Sequence, residues 1–297
     1  MSKPLKQIKE PLQIKTKQYE EEQGYYLSWS STKNWVDCAH YFKLTKIDNV
    51  PGFEGNLHTA FGNGVHWTVE TQLNPLRIEE LDLSDTFTEK FELAISELPN
   101  SEKEKIELER EKLVANPDKS SLEKEMREQG RELVHFLVPA LDKFFGLWEL
   151  VGIEERFYEK CDFYELSNFF FKGYIDIIIK TSDGKYHIID WKTCSWGWKA
   201  EKKTEPMTTY QLTLYKYFFC KKYEINPKDV ETYFALCKRT NKTDKRVEIF
   251  KVTSGTKKTS NALNLLRKAV YNVDHSFHMK NRLSCHRCQF RHTKHCT

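Results

Sequence analysis

Phe171–Lys192 reads FKGYIDIIIKTSDGKYHIIDWK, and the reading of this stretch decides the fold. Two runs rich in β-branched and aromatic residues flank Ser182-Asp183-Gly184, a turn-forming triplet. The pattern predicts a strand, a three-residue loop and a second strand. Counting outward from Asp183 sets Asp176 opposite Asp190. Opposed residues of an antiparallel pair lie roughly 4.5–5.5 Å apart at Cα and share a face. Side chains repeat every second residue, so Lys192 joins Asp190 on that face. Two carboxylates and an ammonium converge at one end of an apolar hairpin.

Such a convergence needs compensation. Ile175, Ile177, Ile178, Ile179, Ile188 and Ile189 make both faces apolar, which places the hairpin centrally in a sheet. Carboxylates held together there repel and lose hydration. A divalent cation removes both penalties, and Mg²⁺ suits a site of one or two carboxylates completed by water. For Asp190-Trp191-Lys192 taken alone, the plain alternative is a surface ion pair at a sheet rim. The opposed Asp176 and the isoleucine runs favour the metal.

The whole chain sets the bounds. It has 297 residues, 30% charged and 13% aromatic, which is ample core material for one large domain or two small ones. No run approaches the ~18 apolar residues of a membrane span, so no membrane association is expected. Residues 1–22, MSKPLKQIKEPLQIKTKQYEEE, lack an apolar signal core, which predicts a cytoplasmic protein (host cytoplasm if phage-encoded). In a reducing compartment, eight cysteines are thiols or metal ligands rather than disulfides. A net charge of +4 is too small to argue for nucleic acid, but residues 275–297 carry no acid and five Lys or Arg. That tail either contacts phosphates or is simply solvated. Lys199, Lys202 and Lys203, just past the hairpin, are further candidate phosphate contacts, with Arg287 and Arg291 in the tail.

Periodicity and capping signals predict a polar arm over 1–26, then one domain over 27–297. Its helical part covers about 27–148, its sheet core about 149–255, and its C-terminal helix and cysteine cluster about 256–297. Ser30 or Ser31 is expected to cap a helix reaching about Leu44. A second helix is expected over His58–Gln72 and a short one over Thr88–Ser96. Alternating charges over 101–129 predict a solvated helical pair, and 131–148 is expected to pack on the core. Strands are expected at 151–161, 169–181, 185–191, 230–237 and 246–252, with helices at 207–223 and 258–272. The fold class is α/β, a mixed sheet flanked by helices with a helical insertion and a cysteine-rich end.

Four motifs fall in order around the hairpin: Gly62-Asn63-Gly64-Val65-His66, Gly173-Tyr174-Ile175-Asp176, Asp190-Trp191-Lys192-Thr193 and Gln211-Leu212-Thr213-Leu214-Tyr215. Together they resemble the RecB-like branch of the PD-(D/E)XK nuclease superfamily, over roughly residues 28–297. The resemblance implies a restriction-endonuclease-like core. His66, Asp176 and Asp190 would hold Mg²⁺ or Mn²⁺, joined by the Ile189 carbonyl. Lys192 would orient the attacking water or stabilise charge on phosphorus, and Gln211, with Tyr215 beside it, would place the scissile strand or the lysine. The family also tends to carry a glutamate on the preceding strand, for which Glu154 and Glu155 both qualify. Glu70, one helical turn past His66, is positioned to orient the imidazole.

Cys285 and Cys288 form a Cys-x-x-Cys, with Cys296 beyond them and Cys38 far upstream. One distant cysteine plus three near the C-terminus resembles the iron–sulfur staple of AddB and of CRISPR-associated RecB-like nucleases, which implies a [4Fe–4S] cluster. Seven residues separate Cys288 from Cys296, more than that pattern leads one to expect. With His286, His292 and His295 nearby, structural zinc and free thiols stay open as alternatives. Cys161, Cys194, Cys220 and Cys237 lack paired spacing and read as core or incidental. The implied activity is metal-dependent cleavage of DNA, as an exonuclease on single strands or ends in recombination, repair, replication or CRISPR adaptation. The chain has no phosphate-binding loop of an ATP motor, so strand unwinding would come from a helicase or recombination partner. A catalytically silent DNA-binding module on the same fold is the alternative.

Overall fold

β-Branched and aromatic runs become strands in this protein, and helices close both faces of the sheet they form. The computed structural model describes residues 25–76, 80–116, 119–162, 169–242 and 245–296. Most of the expected N-terminal arm lies outside these, but its last residues belong to strand β1 (Tyr25–Ser28).

Ser28 caps helix α1 (Trp29–Asp37) with a reciprocal Ser28–Ser31 capping box. The cap is therefore Ser28, not Ser30 or Ser31. The helix also stops earlier than expected, because Cys38 is extended. A short helix α2 (Ala39–Phe42) and a π-helical turn (Lys43–Ile47) follow. Helix α3 (Leu57–Leu73) is capped by Asn56. Helix α4 (Leu83–Ser96), capped by Asp82, is longer than the expected short helix. Helices α5 (Asn100–Ala115) and α6 (Leu122–Leu133) are the predicted pair. α6 is not merely solvated: Met126, Gly130 and Leu133 are buried, and buried Glu123 pairs with Arg127. Helix α7 (Leu137–Phe145) leads to strand β2 (Trp148–Lys160). Strands β3 (Phe169–Thr181) and β4 (Tyr186–Cys194) form the predicted hairpin. Helices α8 (Ala200–Thr204) and α9 (Pro206–Tyr223), strands β5 (Val230–Lys238) and β6 (Val247–Val252), and helix α10 (Thr256–Asp274) complete the order.

The sheet runs β3-β4-β5-β6, with both β1 and β2 also paired to β3. β4–β5 and β1–β3 are parallel and the other pairs antiparallel, so the sheet is mixed. β2 pairs along nearly the whole of β3, from Phe170 to Thr181. β1 and β4 therefore share the opposite edge of β3. β1 takes Phe169–Lys172 and β4 takes Ile177–Lys180, which leaves a fork over residues 173–176.

Two apolar clusters sandwich the sheet. Leu212, Phe218, Leu266 and Val270 of α9 and α10 pack against Ile175, Ile178 and Ile188 on one face. Phe61, Val65, Phe87, Phe91 and Leu137 of α3, α4 and α7 pack against Ile177, Ile179, Ile189 and Trp191 on the other. Filling both faces is what gives the hairpin its continuous isoleucines. Among the described residues, no helix is long and apolar enough to cross a membrane.

Candidate metal centre

The hairpin register is the predicted one: Ile177 pairs with Ile189 and Lys180 with Tyr186. The Thr181 N–H donates to the Lys185 carbonyl at 3.1 Å and closes the three-residue loop. The ladder stops one step before the aspartates. There the strands separate, and the Asp176 carboxylate accepts the Trp191 backbone N–H at 2.7 Å. Asp176 and Asp190 are thus at the predicted level of the hairpin, but at the crotch of a fork rather than as a bonded pair.

A third carboxylate stands at the same level. Ile153 pairs with Ile177 and Glu155 with Ile175, so Glu154 lies opposite Asp176 on β2. Glu154 itself has φ of 48° and interrupts the ladder. A left-handed glutamate inside a strand costs on the order of 1–3 kcal/mol and persists only where its surroundings impose it. This settles which glutamate faces the fork. Glu155 turns away to an ion pair with Lys222 and the Tyr223 hydroxyl. The sequence showed two adjacent glutamates, and the backbone conformation that separates them leaves no local signature.

His66 comes up from α3. Its Nε2 lies 3.1 Å from the Trp191 carbonyl, and its Nδ1 lies 3.6 Å from Asp176. A carbonyl only accepts, so that contact puts the ring proton on Nε2 and a lone pair on Nδ1. The Trp191 carbonyl is thus the main-chain oxygen in contact with His66. Ile189, whose carbonyl was expected there, pairs with Ile177 in the ladder. Glu70 also departs from expectation: its carboxyl interacts with that of Glu154, and the imidazole contacts are with Trp191 and Asp176. Ligand atoms of His66, Glu154 and Asp176 lie within 4.8 Å of one another, the one such gathering among the described residues.

Asp190 lies beside this trio and is fully buried. Its Oδ1 accepts from the Gln211 amide at 2.8 Å, and Lys192 Nζ lies 2.5 Å from its Oδ2. The same Gln211 amide donates to the Tyr215 hydroxyl at 3.2 Å. The Gln-x-x-x-Tyr turn of α9 thus holds Asp190. Gly173 explains how the tyrosine fits: a Cβ there would sit 2.8 Å from the Tyr215 ring. The glycine of one motif is the seat for the tyrosine of another.

Charge in the pocket is out of balance. Burial pushes Asp176 and Asp190 up to about 6, with Lys192 opposing the rise. Burial and then the Asp176 charge push Glu154 up to about 8, and the same causes raise Glu70. Burial and the Lys192 charge take His66 down to about 4, so the imidazole is neutral and able to ligate near neutral pH. Burial alone would lower Lys192, but Asp190 and Asp176 outweigh it and keep it protonated. One ammonium faces several carboxyl groups that resist ionising. A hard divalent cation fits this donor set of carboxylate oxygen and neutral imidazole.

The expected phosphate contacts divide. Lys203 is paired with Glu248, and Lys202 lies 4.4 Å from the centroid of the Trp198 ring. Lys199, Arg287 and Arg291 are exposed, Arg291 beside His292. The four cysteines Cys38, Cys285, Cys288 and Cys296 line one cavity together with Tyr41 and Phe290. The C-terminal segment is tied there by the Asn281 side chain to the Asp37 carbonyl at 2.9 Å and by His40 to the His295 carbonyl at 3.0 Å. The other cysteines lie elsewhere: Cys161, Cys220 and Cys237 are buried and Cys194 half-buried.

This fold, with carboxylates, a lysine and a histidine gathered at a strand fork, defines a nuclease of the PD-(D/E)XK type. The sequence profile of the PD-(D/E)XK nuclease superfamily matches residues 26–293, and the chain belongs to that superfamily. A solved structure described as "Putative exonuclease" from Eubacterium rectale aligns over 84% of this chain and 82% of its own, at TM-score 0.47 and 12% identity. Another, SSO0001, aligns over 57% of this chain and 75% of its own, at TM-score 0.34 and 16% identity. A comparison with curated proteins gives no match.

Proposed function

We propose that this chain is a Mg²⁺- or Mn²⁺-dependent deoxyribonuclease, acting as an exonuclease on single strands or DNA ends. The observation that carries this reading is the strand fork, where Glu154, Asp176 and Asp190 stand level across three strands beside a neutral His66 and a protonated Lys192. His66, Asp176 and Asp190 would hold the ion, joined by Glu154, whose ligand atom lies within 4.8 Å of those of His66 and Asp176. A bound divalent ion would acidify a water and polarise the phosphate. The chain's own residues do the rest. Gln211 and Tyr215 fix the Asp190 carboxylate, and Gly173 makes room for the tyrosine. Lys192 places positive charge where phosphorus gains negative charge. Burial of the centre strengthens each of these interactions.

The test is cleavage of end-labelled single- and double-stranded DNA with Mg²⁺, Mn²⁺ or EDTA. Metal-dependent release from an end supports the reading. No cleavage of any DNA with either ion overturns it.

The cysteine cavity is part of this proposal, as the seat of a [4Fe–4S] cluster joining the N-terminal helices to the C-terminal segment. Broad visible absorbance in anaerobically purified protein supports it, and stoichiometric zinc without that absorbance refutes it. Roles in recombination, repair, replication or CRISPR adaptation, and a helicase partner, are consistent with such an enzyme.

A further inference from the structure

The sheet face beyond the fork has no role in the chemistry above. The helices that cover the isoleucine end of β3 pack against Ile177 and Ile179. Below Asp176, Phe170, Lys172 and Tyr174 lie on the face opposite Phe171 and Ile175, with Tyr174 and Arg156 exposed and Tyr158 buried. Arg156 pairs with Tyr174 across β2 and β3, and Tyr158 with Lys172. Phe170 pairs with Tyr26 of β1. These rows follow directly from the Glu154–Asp176 level, each about 6.7 Å from the last, the two-residue step of a strand.

The composition of this strip is unusual for a solvated sheet face. Tyr174 is 42% exposed and Tyr26 49%. The Lys172 ammonium lies 4.6 Å from the centroid of the Tyr26 ring, and the Arg156 guanidinium 5.9 Å from that of Tyr158. Tyr158 stacks on Phe170 at 4.6 Å. Among the described residues no carboxylate forms an ion pair with Arg156 or Lys172, although the chain is rich in acids. Aromatic residues favour strands in any case. That preference does not explain why the Tyr26 and Tyr174 rings stay exposed, or why Arg156 and Lys172 accompany them.

We propose that this strip is a track for single-stranded DNA leading to the metal centre. The proposal rests on the nuclease reading and adds the form of the substrate and where it lies. Exposed aromatic faces stack unpaired bases of any sequence, and flanking cations follow the phosphates. A duplex keeps its bases stacked inside and cannot use these rings. The row spacing matches the stride of an extended strand, so successive nucleotides sit on successive rows and the strand end reaches the fork.

The experiment uses the full chain in EDTA, with fluorescence anisotropy of a labelled oligothymidylate and of a matched duplex. The wild type is expected to bind the single strand at least about tenfold more tightly than the duplex. Tyr26→Ala and Tyr174→Ala should each weaken that binding roughly tenfold. Tyr26→Phe and Tyr174→Phe should retain it, which separates ring stacking from a folding defect. Arg156→Ala with Lys172→Ala should reduce the slope of log affinity against log salt by about 1.4. Mn²⁺ binding measured by calorimetry should be unchanged in the alanine variants. Wild-type affinity in all of them, tighter binding of duplex, or no binding by the wild type overturns the track. If DNA is still cleaved with Mn²⁺ in those cases, the nuclease reading stands. If it is not, both fall.

Discussion

Replacing Asp176 by asparagine separates the two roles of the centre, because it should stabilise the metal-free protein while abolishing metal binding. In the fold, Asp176 titrates at about 6 against an ordinary 3.8, chiefly because it is buried. At about 1.36 kcal/mol per pH unit, ionising it costs the folded state about 3 kcal/mol above that range. The sign follows from proton counting. Between about pH 4 and pH 6 the folded state holds a proton that the unfolded state has released, so metal-free stability falls as pH rises through that window. Glu154, raised to about 8, extends the fall upward. Asparagine carries no charge, and its oxygen still accepts the Trp191 N–H that Asp176 accepts at 2.7 Å. In EDTA near pH 8, Asp176→Asn should therefore melt several degrees above the wild type, on the order of 5 °C. The gap should shrink as pH falls through that window and close near pH 4, below which Asp176 is protonated in both states. Adding Mn²⁺ should raise the wild-type melting temperature and flatten its pH dependence, and leave the variant where it was. Scanning calorimetry across pH, with and without Mn²⁺, measures all of this. A variant that melts below the wild type in EDTA near pH 8, or gains as much from Mn²⁺, would refute the charge argument.

Further outcomes follow from the same geometry. Lys192→Ala should lower the cleavage rate by on the order of 10²–10³ while leaving DNA binding measurable in anisotropy; Asp190→Ala should do the same, and wild-type rates in either would defeat the assignment. Lys192→Ala should also destabilise the protein, because it strands the buried Asp190 carboxylate, which lies 2.5 Å from the ammonium. Gly173→Ala should cost about 1–3 kcal/mol of stability and reduce activity, since its Cβ would meet the Tyr215 ring at 2.8 Å; denaturant unfolding and turnover together check it. Cys38→Ser should remove the visible absorbance and lower the melting temperature more than any change at Asp176, and equal melting temperatures would eliminate the staple.

What the sequence by itself determined was local and periodic. Isoleucines on both sides of Ser182-Asp183-Gly184 specified a central hairpin, and a side-chain period of two specified its register. Spacings of i to i+4 specified that Gln211 and Tyr215 share a helical face, as the hydrogen bond between them shows. These features depend on residues a few positions apart, so they can be read along the chain. Tertiary structure alone decided the fork. β1 pairs in parallel with one half of β3 and β4 with the other half, and the unpaired stretch between them is where the carboxylates meet. The left-handed Glu154, the Trp191 carbonyl beside His66 and the place of Glu70 against Glu154 were likewise not readable along the chain. The β1–β3 pairing, His66 beside Trp191 and Glu70 beside Glu154 each join segments more than eighty residues apart. Such placement is set by packing over the whole core, which no window of neighbouring residues encodes.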